Sequence, residues 1–266
     1  MSGTTLGHRL EGEGSPVALA NGGMMTFPSW EPVAGRLRAR HATLLFDFRG
    51  QLLSPGPAHG SLAEHAEDLV ELLDEVGLDS THLLGASFGA EAAIELAARY
   101  PDRVRSLTLV TAMDRATPDF RAGSSALRAS LAEVLAGVER GRFYDALVES
   151  VYSESFRERE AATLAARRAQ VDQLPLAWFA GVNALLDSIE DFDLTDSLRE
   201  IRCPVLVVIA ENDRVMDRER SEALARALGA EVAVHPTSGH ALVVEDPEWL
   251  AGVSLDFLAR CDGARP

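Results

Sequence analysis

The chain has 266 residues, of which 47% are hydrophobic and 25% charged; this suffices for one large folded unit with an insertion and excludes disordered or fibrous classes. Its 41 acidic residues against 25 basic ones give a formal charge of −16, which repels polyanions and makes neither nucleic acid nor an anionic membrane an expected partner. Cys203 and Cys261 stand alone, without CxxC or clustered histidines, so neither a zinc site nor a disulfide scaffold is expected.

Met1 to Leu10 lacks the basic start and apolar run of a signal peptide, and no stretch approaches about 18 apolar residues. The expected location is the cytoplasm. The first apolar run, Pro16 to Ala20, reads as a buried strand leading into the glycine-rich loop Asn21-Gly22-Gly23-Met24. A second run, Ala42 to Phe46, leads into Asp47-Phe48-Arg49-Gly50. Ser61-Leu62-Ala63-Glu64 is a capping box that opens an amphipathic helix through Leu69, Leu73 and Val76, closed by Gly77.

Thr81 to Leu84 is the third strand, and the helix after Ser87 carries Ala90, Ile94 and Ala97 on one face before stopping at Tyr100-Pro101. Val104 to Val110 is the fourth strand. From Asp114 to Asp196 no convincing strand follows, only helical segments such as Ala126 to Glu139, Tyr144 to Val151 and Ala161 to Val171. This stretch, 114–196, reads as a helical cap inserted at the carboxyl edge of a core made of residues 1–113 and 197–266. Val205 to Ala210 and Glu231 to His235 supply two more buried strands, and Asp246-Pro247 caps the terminal helix. The alternation predicts an α/β fold, a doubly wound and mostly parallel sheet with helices on both faces.

The chemistry concentrates at Gly85-Ala86-Ser87-Phe88-Gly89. GxSxG directly after a strand and before a helix is the context of a nucleophile elbow, with small residues required two positions either side of the serine. Asp213 follows the Val205 strand, and His240 lies in the loop Thr237-Ser238-Gly239-His240, giving the chain order Ser, Asp, His. A serine hydroxyl needs an adjacent imidazole to take its proton, and a buried carboxylate to fix the imidazole tautomer. Asp114, after the fourth strand, is the competing acid, with Asp213 preferred. His235 reads as structural, and His8, His41, His59, His65 and His82 as surface or core residues. The N–H of Phe88 is one expected oxyanion donor, and Gly23 the other, with Met24 in reserve. Met24, Phe143, Tyr144 and Trp178 are candidate substrate-binding residues; Tyr152, Phe156 and Phe179 belong to the same aromatic set.

With the elbow, the Asn212-Asp213 loop, the Gly239-His240 loop and Leu45-Phe46-Asp47-Phe48-Arg49-Gly50 in order, the chain resembles the α/β-hydrolase superfamily over nearly its whole length. Asp47 resembles that family's structural aspartate and is not assigned to catalysis. The chain departs from the family pattern in having Asn21-Gly22 where most members have His-Gly, Gly89-Ala90 in place of Gly-Gly, and a start similar to the family's second strand, as if the first were missing. The resemblance implies a serine hydrolase acting on a small-molecule ester or related acyl compound, without cofactor or metal. Serine at position 87 argues against epoxide hydrolase and haloalkane dehalogenase chemistry. The Asn-Gly loop with its following methionine is similar to hydroxyacyl acyltransferases of rhamnolipid synthesis, so acyl transfer on the same triad is the alternative; a non-catalytic ligand receptor is a third reading, and a homodimer stays open.

Overall fold

The computed structural model describes residues 6–54, 56–57 and 60–263; His59 lies outside them. In chain order the elements are β1 (His8–Glu11), β2 (Ser15–Ala20), α1 (Glu31–Leu37), β3 (His41–Phe46), α2 (Leu62–Glu75), β4 (Thr81–Ala86), α3 (Phe88–Arg99) and β5 (Val104–Val110). Five helices follow: α4 (Pro118–Leu135), α5 (Arg140–Val151), α6 (Glu154–Arg159), α7 (Ala161–Val171) and α8 (Leu176–Ser188). The chain then returns through β6 (Val205–Ala210), α9 (Arg218–Leu228), β7 (Glu231–His235), α10 (Leu242–Glu245) and α11 (Pro247–Gly263).

The strands form one sheet of order β1-β3-β2-β4-β5-β6-β7. All neighbours pair in parallel except β1, which runs antiparallel to β3 with His8 opposite Phe46. This is the expected doubly wound α/β architecture. Period-two alternation divides its core: on β4, Leu83 faces the side packed by α2 and α3, and Leu84 faces the side packed by α1 and α11. On β6 the same split sends Val207 and Ile209 one way and Leu206 and Val208 the other.

Two strands differ from expectation. β1 escapes a search for apolar runs because His-Arg-Leu-Glu is a half-exposed edge that buries no continuous stripe. β7 is parallel as expected but is an edge and not a buried strand, with Val232 and Val234 exposed. Among the helices, α4 starts earlier than Ala126, since Thr117 caps it through Phe120 N at 3.1 Å and Pro118 occupies the first turn. α2 starts at its Ser61 cap and ends with Leu78 N bonded to Leu73 O at 2.8 Å.

Below the sheet's amino edge, α11 is tied down by a polar cluster. Asp262 accepts from Ser15 Oγ at 2.6 Å and pairs with His82 Nε2 at 3.1 Å, while His82 Nδ1 lies 2.7 Å from Ser106 Oγ. Burial pushes the His82 imidazole from its ordinary 6.5 down to about 4, against the opposing pull of Asp262. The unfolded chain therefore takes up this proton first, so stability is complete above about pH 6.5 and falls as pH drops from there toward 4. Urea melts at pH 7.5, 5.5 and 4.5 should show this decline, and His82→Gln should have a shallower pH slope across that window than the unchanged protein.

Candidate active site

β4 passes directly into Ser87, which adopts φ 51° and ψ −126°, a left-handed conformation rare for a residue with a side chain. Such geometry costs about 1–3 kcal/mol and persists only when its surroundings enforce it. Here Ser87 N donates to Val110 O at 2.9 Å, prolonging the β4–β5 pairing, and Ser87 O accepts from Ala90 N at 2.6 Å as α3 begins. The two flanking glycines are demanded by space. A Cβ on Gly85 would lie 2.4 Å from Gly89 O, and one on Gly89 would lie 2.3 Å from Ala20 O. As the first residue of α3, Phe88 carries an N–H with no intrahelical acceptor.

Asp213 sits on the turn that closes β6, its own N bonded to Ala210 O at 3.2 Å. One carboxylate oxygen accepts from Val215 N (2.8 Å) and Met216 N (2.9 Å), and the other faces His240 Nδ1 at 3.0 Å. The side chains are only 5% and 12% exposed, so the pair is shielded from water. A carboxylate accepts and does not donate, so the hydrogen bond between them runs from His240 Nδ1–H to Asp213 Oδ2. Asp114 is engaged elsewhere: both its oxygens are held by the guanidinium of Arg220, through Nε at 2.9 Å and through Nη2. His235 sits under the loop before His240, its Nδ1 2.9 Å from Ser238 N and its Nε2 3.3 Å from Asp246.

Ser87 and His240 open onto the same space, with no direct hydrogen bond between them among the described residues. Two cavities meet there, one of about 350 Å³ and one of about 140 Å³, and Gly23, Met24, Ser87, Val151 and His240 wall both. Phe88 borders the narrower one. Phe143, Tyr144 and Trp178 line neither: Phe143 packs edge-on to Phe179 at 5.7 Å, Trp178 packs on Phe179 at 4.9 Å, and Tyr144 packs against the same core. The aromatic residue that does reach the wide cavity is Tyr152, whose ring stacks on Phe156 at 4.9 Å.

Several side chains brace the site, and of these Gln51, Glu245, Glu91 and Thr111 lie outside the motifs read from the sequence. Asn21, fully buried, directs its amide at Phe46 O, Asp47 Oδ1 (2.8 Å) and Gln51 Oε1, and Gln51 Nε2 in turn donates to Gly22 O at 2.9 Å. Asp47 also accepts from Phe27 N (2.6 Å) and Leu53 N (2.9 Å), and burial raises its carboxyl above the usual range despite these donors. This network fixes the Gly22-Gly23 loop against the end of β3. Glu245 clamps the other side, accepting from Gly239 N, Ser153 N and Ser153 Oγ. Glu91, one turn beyond Ser87, is wholly buried; burial pushes its carboxyl well above the usual range, Met113 N opposes the rise, and the Asp213 charge adds to it. Thr111 lines the wide cavity at φ 49° with a buried hydroxyl that has no partner among the described residues.

Residues 15–247 match the family model described as "alpha/beta hydrolase fold". The chain belongs to the α/β-hydrolase fold family. Its relatives include a protein from Azorhizobium caulinodans named "Putative carbamate hydrolase RutD", 29% identical over 96% of this chain and 95% of that one. Among solved structures of the α/β-hydrolase fold, an enzyme from a Medee basin deep-sea metagenome library superimposes with a TM-score of 0.89 at 22% identity, covering 96% of this chain and 94% of that one. The enol-lactonase from Burkholderia xenovorans LB400 gives 0.85 at 22% identity, covering 97% and 98%. The protein is thus an α/β-hydrolase, and its departure at Asn21 has a structural account, since the amide braces Asp47 and Gln51.

The elbow contact gives a direct test. Gly89→Ala places a carbon against backbone oxygens that cannot rotate away, so it should cost about 3 kcal/mol or more in urea-melt stability and lower hydrolysis in whatever fraction still folds.

Proposed function

We propose that this hydrolase cleaves esters or related acyl compounds through a covalent intermediate on Ser87, with His240 as base and Asp213 as its orienting acid. The observation that carries the reading is the Asp213–His240 pair, 3.0 Å apart, bordering the same cavities as a serine held at φ 51°. Ser87 Oγ attacks the carbonyl carbon while its proton passes to His240 Nε2. The tetrahedral oxygen takes hydrogen bonds from the N–H of Phe88 and of Gly23, with Met24 beside it. On collapse the carbon–leaving-group bond breaks, and the leaving group departs with the proton from His240. Water then attacks the acyl carbon, gives a proton to His240, and the acid leaves as Ser87 recovers its hydrogen.

The helices between β5 and β6 act in this reading as the cap over the nucleophile, with residues 114–196 as the inserted part; α5 supplies Val151 to both cavities. Carbamates, lactones and esters share the carbonyl this chemistry needs, so the names of the relatives above agree with an acyl substrate and water as acceptor. The charge of −16 supports a small-molecule partner over nucleic acid or an anionic surface. No helix among the described residues is long and apolar enough to cross a membrane, and Cys203 and Cys261 as free thiols agree with a cytoplasmic enzyme.

A panel of p-nitrophenyl esters and acyl thioesters identifies the working substrate. On it, Ser87→Ala should lower kcat by about 10³-fold or more with an unchanged melting transition, and should abolish labelling by a fluorophosphonate; wild-type turnover in that variant removes Ser87 from the mechanism. Asp213→Asn should approach the ~10⁴-fold loss known for mis-set tautomers in serine proteases, whereas Asp114→Asn should chiefly lower stability by releasing Arg220. Parallel kinetics and urea melts on the two variants distinguish these roles.

A further inference from the structure

α4 presents a stripe of buried or half-buried positions, Phe120, Ser124, Leu127, Leu131 and Val134, spaced at three and four residues. Ser124 is the polar member of that apolar stripe. It is 7% exposed, it lines the narrower cavity, and its Oγ has no hydrogen-bond partner among the described residues. Apart from Ser87, the remaining serine on that wall is different: Ser150 Oγ donates to Leu147 O at 2.9 Å. A buried hydroxyl without a partner is uncommon in folded proteins, and at a cavity wall a ligand can supply what the protein does not.

The two cavities also differ in what surrounds Ser87. The wide one takes in Ala241, Val243 and Val244, which follow His240, and has the room for the larger of the two groups that flank the scissile bond. The narrow one takes in Phe88, next to the nucleophile, the apolar side chains of Phe120, Leu127, Leu186 and Ile189, and the charged residues Asp119 and Arg214. The narrow cavity, about 140 Å³, has less than half the volume of the wide one, about 350 Å³.

We infer that the narrow cavity is the acyl arm and Ser124 its specificity determinant: the enzyme selects short acyl groups that carry a hydrogen-bonding substituent, with the larger leaving group in the wide arm. This rests on the acyl-enzyme reading above. A site built around a hydrogen bond to its substrate discriminates strongly against the analogue that lacks the group, because its own polar atom is then stranded.

The test uses p-nitrophenyl acetate, butyrate and 3-hydroxybutyrate, which share one leaving group. Wild-type kcat/KM should favour 3-hydroxybutyrate over butyrate by about tenfold or more, and Ser124→Ala should bring that ratio to within about twofold of unity. Ser124→Leu should fill the arm and lower butyrate relative to acetate by about tenfold; should that variant not fold, Leu127→Ala serves instead, enlarging the arm and shifting preference to longer chains. Equal wild-type rates on the hydroxylated and plain esters, a ratio unmoved by Ser124→Ala, or a chain-length profile unmoved by the size variants overturns the inference. Fluorophosphonate labelling separates the two levels: an unlabelled Ser87 in the wild type refutes the acyl-enzyme reading itself, whereas full labelling without acyl discrimination refutes only the assignment of Ser124 and its arm.

Discussion

At Gly89 the first turn of α3 lies against the end of β2 so closely that one added carbon would stand 2.3 Å from Ala20 O and 2.5 Å from Asn21 O. Gly85 makes the same demand on the other side of the turn, against Gly89 itself. Backbone approach of this kind cannot be relieved by a rotamer change, so it sets the distance between two loops that the proposed chemistry needs side by side. Ser87 is held in its unfavourable φ by that packing and by its bond to Val110 O. The Gly22-Gly23 loop begins where the contact ends, and Gly23 and Phe88 therefore border one small volume.

Much of this was legible in the residues because it is local. Apolar runs ended where strands end, Ser61 and Asp246 capped the helices they precede, and the elbow is five consecutive residues whose geometry follows from their sizes. Asp213 and His240 were chosen from their loops and from the chain order Ser, Asp, His, and the structure sets the two 3.0 Å apart. What stayed hidden depended on what the chain packs against. β1 has too little apolar character to announce itself, and the exposure of Val232 on β7 follows from being last in the sheet and not from its own sequence. The aromatics Phe143 and Trp178 have the composition of a pocket wall but serve the packing around Phe179. No spacing rule distinguishes them from Phe120, which does line a cavity.

The supports around the site divide the work between charge and burial. Asp47, Asn21 and Gln51 hold the loop after β2 through hydrogen bonds that water does not reach, and Glu245 couples the His240 loop to the segment joining α5 and α6. That second connection means the position of the proposed base and the position of Val151 are not independent, since Ala241 N also bonds Val151 O at 2.9 Å. The end of α5 and the loop that carries the imidazole therefore share one set of hydrogen bonds.

The cluster under α11 carries a different lesson. Ser106, His82 and Asp262 reproduce the residue types of a catalytic triad, with contacts of 2.7 and 3.1 Å along the relay. Yet Ser106 and His82 are sealed beneath the terminal helix, at the opposite edge of the sheet from Ser87, and neither lines the cavities described above. One molecule thus contains its own control. The same residue types serve as a fastener where no carbonyl can enter, and access, more than composition, separates this fastener from the proposed reaction centre.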